Sequence, residues 1–316
     1  MAKKEIQCGF RTSIGGQALI EGIMMQGPQK RAIVVRGENG LVVKEEELKF
    51  IKDKYPILGW PLIRGCVNFI SSMANGVRAL MFSAEQMPME EQEAQESKVD
   101  KWINKHFSGE KAEKLMIAVA MVIGIGMAVV LFMLLPTLIA GIFTDLIKSR
   151  IVMNLIEGVI RIAIFLTYVW LATRMKDIHR VFEYHGAEHK TIFCYEAGLP
   201  LTVENVRPQS RNHPRCGTSF LFIVMIVSII VFSVVSWSNP IIRLLLRLVL
   251  LPVVVSISYE LIRWAGRHDN IVSKILSAPG KALQHLTVFE PDDSMIEVAI
   301  EAMKLVIPEE KGTDEW

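Results

Sequence analysis

Cysteine is scarce in this chain of 316 residues: Cys8, Cys66, Cys194 and Cys216 lie far apart, and none forms a C-x-x-C pair. That spacing argues against a disulfide framework, and the topology derived below places all four thiols on the reducing cytoplasmic side. Excess charge of one sign is also missing. Thirty-five Lys and Arg against 33 Asp and Glu leave a net charge of +2, too little for a global field that would recruit nucleic acid. No glycine spacing matches a phosphate-binding loop. The first nine residues carry lysines with no apolar run behind them, which predicts no cleavable signal peptide and leaves targeting to the first membrane helix.

What is abundant is apolar. Hydrophobic residues make up 51% of the chain, yet charged residues still reach 22%. Both facts fit because the two classes are segregated along the sequence. Leu115–Phe143 is a 29-residue run without a charge, longer than the roughly 20 residues a span needs, so a tilt or a kink near Pro136 is expected. Asp145, Lys148 and Arg150 then precede Ile151–Leu171. Thr218–Trp237 and Ile241–Ile262 follow, joined by Ser238-Asn239-Pro240. Lysine and arginine crowd residues 98–114 and the loop 172–216, whereas the opposite connections hold only Lys148 and Arg150. The positive-inside rule therefore puts both termini and the long loop in the cytoplasm.

The predicted fold class is a mostly α integral membrane protein. It has four transmembrane helices plus an amphipathic helix, a small N-terminal β-rich region and a cytoplasmic α/β tail. The divisions run 1–60 (β-rich region), 61–114 (amphipathic helix and charged connector), 115–171 (first transmembrane hairpin), 172–217 (His/Cys loop), 218–262 (second hairpin) and 263–316 (tail). In the first division, Ile33–Arg36 and Leu41–Lys44 flank Gly37-Glu38-Asn39-Gly40, where Asn-Gly signals a hairpin. From Pro61 to about Gln86 the period becomes 3.6, with Ile63, Cys66, Val67, Ile70, Met73, Ala74, Val77, Leu80 and Met81 on one stripe. That stripe reads as core material on a helix lying along the membrane or packed on the bundle. In the tail, Leu286-Thr287-Val288-Phe289 reads as a strand and Ser294–Val306 as a helix.

The residues able to carry chemistry cluster in the loop 172–217. The second span is expected to continue as one helix to about Ala197, with Ile178, Val181, Phe182, His185, His189, Ile192 and Glu196 on its inward stripe. Residues four apart stack on a helix face, so His185 and His189 can meet one metal, with Glu188 beside them. His185-Gly186-Ala187-Glu188-His189 also fits the H-x-x-E-H pattern of inverzincin metallohydrolases, in which a glutamate polarises water. The remote glutamate ligand of that family cannot be placed here, so the chain is not assigned to it. His213-Pro214-Arg215-Cys216 adds an imidazole and a thiol. Two histidines plus His213 would leave a coordination position open for catalysis; adding Cys216 would close a structural site.

A second constellation lies inside the membrane runs. Glu157 and Arg161 are four apart in the second span, and Arg243 and Arg247 are four apart in the fourth. Charges at such depth face partners or water. Equal depth predicts that Glu157 pairs with Arg247; an anion-binding or transport cavity is the functional alternative.

The stretch Gly15-Gly16-Gln17-Ala18-Leu19-Ile20-Glu21-Gly22-Ile23-Met24-Met25-Gln26-Gly27-Pro28, the cluster Tyr184–Lys190 and His213–Thr218 together resemble the YqhQ family of bacterial membrane proteins. The family is described as predicted metal-dependent enzymes. The resemblance implies a bacterial cytoplasmic (inner) membrane protein and supplies no reaction. The leading expectation is a cytoplasmic-side centre for a divalent metal, zinc above others, with His185, His189 and His213 as ligands and Cys216 as the candidate fourth. Glu188 would be the general base in hydrolysis of a membrane-associated substrate. The rivals are a non-enzymatic scaffold or assembly factor and a transporter using the buried arginines. Membrane lipid and protein partners on the cytoplasmic face are expected, and nucleic acid is not.

Overall fold

The computed structural model describes residues 10–49, 51–88, 110–143, 145–234, 240–268, 270–310 and 312–315. Most of the charged connector, the turn before Pro240, Cys8 and His106 lie outside the described residues. The chain divides into two compact units, one formed by residues 1–86, 169–227 and 252–316, the other by 87–168 and 228–251.

The first unit begins with a four-stranded antiparallel meander of β1 (Gly15–Leu19), β2 (Gly22–Gln26), β3 (Lys30–Gly37) and β4 (Gly40–Glu47). Gly37 pairs with Gly40 across the last turn, so Glu38 and Asn39 are the turn residues. The hairpin is the one expected, but it turns one residue earlier than Asn-Gly would, and Gly40 alone takes the positive φ of 120°. Ile33, Val34 and Val35 form an unbroken apolar run because both faces of the sheet are covered. Ile23, Met25, Ala32 and Val34 pack on one side with Tyr184, Ala187, Met295, Ile296, Ala299 and Met303. Leu19, Met24, Ile33 and Val35 pack on the other with Ala79, Leu80 and Phe82.

The covering elements are helical. After α1 (Ile51–Lys54) and a 3₁₀ turn at Pro56–Gly59 comes α2 (Ile63–Glu85). The amphipathic helix is present, but only part of its apolar stripe packs inward, Leu80 against the sheet among it. Gly65, Gly76, Ala79 and Ser83 face inward, while Ile63, Ile70 and Met73 are 40%, 66% and 55% exposed. Small residues let the helix approach its neighbours closely, which leaves these large apolar side chains outside.

In the second unit, α3 (Glu110–Val129) passes through a π-helical turn at Val130–Leu134 into α4 (Leu135–Gly141). The irregularity falls where Pro136 predicts it. Proline lacks the N–H that would bond the carbonyl of Phe132. That carbonyl instead accepts from Arg161 Nε at 2.9 Å.

The remaining helices are α5 (Arg150–Ala172), α6 (Lys176–Glu196), α7 (Val203–Val206), α8 (Gly217–Val234), α9 (Pro240–Arg267), α10 (Ile271–Thr287) and α11 (Asp293–Val306). Among the described residues three helical stretches are long and apolar enough to cross a membrane: Leu115–Gly141, Ile151–Ala172 and Ile242–Arg267. The third expected span is a shorter apolar helix, Gly217–Ser233.

Two expectations need correction. The helix from the second span to Ala197 is broken at Thr173–Met175, where Thr173 Oγ1 donates to the carbonyl of Trp170 at 2.7 Å and Met175 is extended. The tail is not α/β, because Leu286–Phe289 forms no strand. Leu286 and Thr287 complete α10, the N–H of Val288 closes it on Gln284, and the N–H of Phe289 donates to the carbonyl of Phe182 at 3.0 Å. The segment is held by a helix, with no strand beside it to pair with.

Candidate metal centre

The centre is built on α6, whose inner side presents Tyr184, Ala187, Glu188, Thr191 and Ile192 to the core while His185 and His189 stand one turn apart. The two imidazole rings are 4.4 Å apart between centroids. Gly186 must be a glycine: a Cβ there would collide with the carbonyl of Phe289. The segment that failed to become a strand therefore fixes the middle of the His-Gly-Ala-Glu-His cluster.

Each imidazole is oriented from behind. His185 Nδ1 lies 3.0 Å from the carbonyl of Thr287, and His189 Nδ1 lies 2.6 Å from the carbonyl of Arg211. A carbonyl only accepts, so each Nδ1 carries a proton and Nε2 is the ring nitrogen turned to the centre. His185 Nε2 is 3.0 Å from Cys216 Sγ. His189 Nε2 is buried without a partner. The ligand atoms of His185, His189 and Cys216 all lie within 4.8 Å of one another, a group able to hold one ion.

Glu188 lies alongside. Its Oε1 accepts the Gly16 N–H at 3.1 Å, and its Oε2 is buried with no partner. A Cβ on Gly16 would lie 2.6 Å from the carbonyl oxygen of Met24 and 3.1 Å from Glu188 Cδ, so only glycine brings β1 this close. Burial, reinforced by the sulfur of Cys216, pushes the Glu188 carboxyl up to about 7 against the opposing effect of His185 and the Gly16 N–H. Burial likewise lowers His189. Burial alone would raise the Cys216 thiol, but His189 and the Thr218 hydrogen bonds outweigh it and hold the thiol below its ordinary value.

His213 is close but engaged elsewhere. Its ring centroid is 5.6 Å from that of His189, its Nδ1 accepts the Arg215 N–H at 3.3 Å, and its Nε2 lies 3.7 Å from Glu196 Oε2. Glu196 also pairs with Arg215 and accepts the Thr12 N–H at 2.9 Å. Burial would raise Glu196, but its bonds to His213 and Arg215 prevail and keep it ionised. Gln284 clamps the His213 backbone through both N–H and carbonyl, at 2.9 and 2.7 Å. The structure thus unites His185, His189, Cys216 and Glu188 and assigns His213 to a neighbouring ion cluster. Gly16, Gln284 and the two orienting carbonyls escaped sequence reasoning. Only the glycine pair at 15–16 left a signal. A cavity of about 100 Å³ opens on Glu188, His189, Cys216 and the backbone of Thr12–Gly16.

The charges carried by the apolar helices form a separate cluster. Arg247 binds both carboxylate oxygens of Glu157, at 2.9 Å to Oε2, and reaches Thr137 Oγ1 at 2.9 Å. Arg161 reaches Glu157 at 3.2 Å and Ser228 Oγ at 3.1 Å. Both guanidiniums flank the Phe232 ring, at 5.6 and 5.4 Å. Arg243 lies one turn before Arg247, half-buried on α9.

The family described as Protein of unknown function (DUF1385) matches residues 60–309. The "Uncharacterized protein YqhQ" of Bacillus subtilis (strain 168) is 34% identical over 297 residues, which cover 91% of this chain and 90% of that one. No solved structure matches the chain.

Proposed function

The chain belongs to the YqhQ family of DUF1385 proteins, and from that premise we propose that it is a membrane hydrolase with a divalent metal held by His185, His189 and Cys216. The observation that carries this reading is the pair of buried, partnerless atoms, His189 Nε2 and Glu188 Oε2, beside a thiol of lowered pKa. Burying polar atoms without partners is costly, and a bound ion with its water would satisfy both. Two imidazoles and a thiolate suit zinc and leave a fourth position open. A metal there supplies Lewis-acid polarisation of a carbonyl or phosphoryl group and acidifies water.

The chain's own residues would do the rest. Glu188, fixed through Oε1 by Gly16, presents Oε2 to take a proton from water and return it to the leaving group. The carbonyls of Thr287 and Arg211 hold the imidazoles in the ligating tautomer. In this reading the apolar helix Gly217–Ser233 belongs to a fourth span, both termini are cytoplasmic, and the protein resides in the bacterial inner membrane with a membrane-associated substrate. The engagement of Arg161 and Arg247 with Glu157 supports an ion-pair clamp over a transport path.

Glu188→Gln keeps shape and hydrogen bonding while removing the base. The variant is expected to keep its metal and thermal stability yet fail to complement a strain lacking the chromosomal copy, whereas His185→Ala loses metal and complementation together. Full complementation by Glu188→Gln at native expression would end the enzymatic reading.

A further inference from the structure

A second cavity of the first unit is lined by none of the candidate metal ligands. It encloses about 650 Å³ where α5 ends and α6 begins, between Trp170 and Phe289. Its wall is basic: Arg174, Lys176, Arg180 and two histidines, His179 and His285, face it, with Glu183 the acidic group among its lining residues. The cations are not equivalent. Arg180 is paired with Glu21, and Glu183 lies 3.6 Å from His179. Arg174 and Lys176 form no ion pair among the described residues. Arg174 lies over the Trp170 ring at 4.8 Å, which holds the guanidinium in place without neutralising it. His179 is stacked on Phe289 at 4.2 Å, which makes that part of the wall aromatic.

We propose that this cavity binds a phosphate anion carried by the headgroup of an anionic phospholipid. Two cations lining one cavity, neither in an ion pair among the described residues, suit a phosphate diester, and Arg174 offers it a planar fork of donors. The location selects the lipid. Trp170, 46% exposed, ends a helix long and apolar enough to span the bilayer. Tryptophan at such an end marks the headgroup level, and basic pockets at that level bind acidic headgroups. The inference rests on the membrane placement of α5 proposed above. It is independent of the metal.

The test uses the full chain in dodecyl maltoside and measures binding of dihexanoyl phosphatidylglycerol, dihexanoyl phosphatidylcholine and inorganic phosphate by thermophoresis. Phosphatidylglycerol is expected to bind at least about tenfold tighter than phosphatidylcholine, whose ammonium opposes the pocket. At roughly a fivefold loss per surface cation, Arg174→Gln/Lys176→Gln should weaken it about 30-fold. Lys304→Gln, an exposed charge removed elsewhere, should change nothing. Inorganic phosphate binding as tightly as the lipid, with the same dependence on Arg174 and Lys176, would uphold the anion site and assign it a soluble source. Unchanged phosphatidylglycerol binding in the double variant, or no binding of either anion to the wild type, overturns the proposal. Because binding is read in detergent, its failure is separable from failure of the membrane placement, which side-specific labelling decides.

Discussion

Breaking the Glu157–Arg247 pair should cost unequal amounts from its two ends. Glu157 is 1% exposed and Arg247 is 3% exposed, so neither charge can recover water when its partner is lost. Removing one member of a buried pair typically costs about 3–5 kcal/mol. In Arg247→Met, Glu157 still holds Arg161 and Thr137 Oγ1, which sets the loss near the low end, about 3 kcal/mol. In Glu157→Gln, two guanidiniums remain around one neutral amide, which sets it near the high end, about 5 kcal/mol. The double variant leaves Arg161 with Ser228, the Phe132 carbonyl and the new amide, so the losses should fall short of additivity by about 2 kcal/mol or more, within the range for contacting residues. Thermal melts of the three variants in one detergent, with folded yield as a second readout, measure this coupling. Additive losses, agreeing within about 0.5 kcal/mol, would refute the pairing and the clamp it implies.

Two further outcomes follow from the same structure. Gly186→Ala should lower stability by about 1–3 kcal/mol, because the new methyl meets the carbonyl of Phe289; a melting temperature equal to wild type would contradict that packing. For topology, a membrane-impermeant thiol reagent applied to intact cells should modify Leu146→Cys, at a position 81% exposed, and should miss Ser210→Cys. Modification of Ser210→Cys from outside would overturn the cytoplasmic placement proposed for the candidate centre.

Features with a local cause were legible in the sequence. Period-2 and period-3.6 patterns located the hairpin at Gly37–Gly40 and the helix at Ile63–Glu85, and the i,i+4 spacing put His185 and His189 on one face. Features set by tertiary packing were not. Nothing in Thr173-Arg174-Met175 announces a helix break, since no glycine or proline stands there. Leu286–Phe289 has strand composition, yet α10 and α6 claim its backbone. Ile63, Ile70 and Met73 of the α2 stripe stay exposed because Gly65, Gly76, Ala79 and Ser83 take the packed face. The sequence favoured His213 over Cys216 as third ligand, whereas in the fold Cys216 Sγ groups with the two histidines and His213 faces Glu196, a distinction set by tertiary packing.

The ligand assignment is tested most directly by metal content per chain, measured by inductively coupled plasma mass spectrometry on protein purified without chelator. One divalent ion per chain is expected in the wild type and in His213→Gln, with loss from His185→Ala/His189→Ala and from Cys216→Ser. Wild-type protein without stoichiometric metal, or a double histidine variant that retains it, would contradict the account.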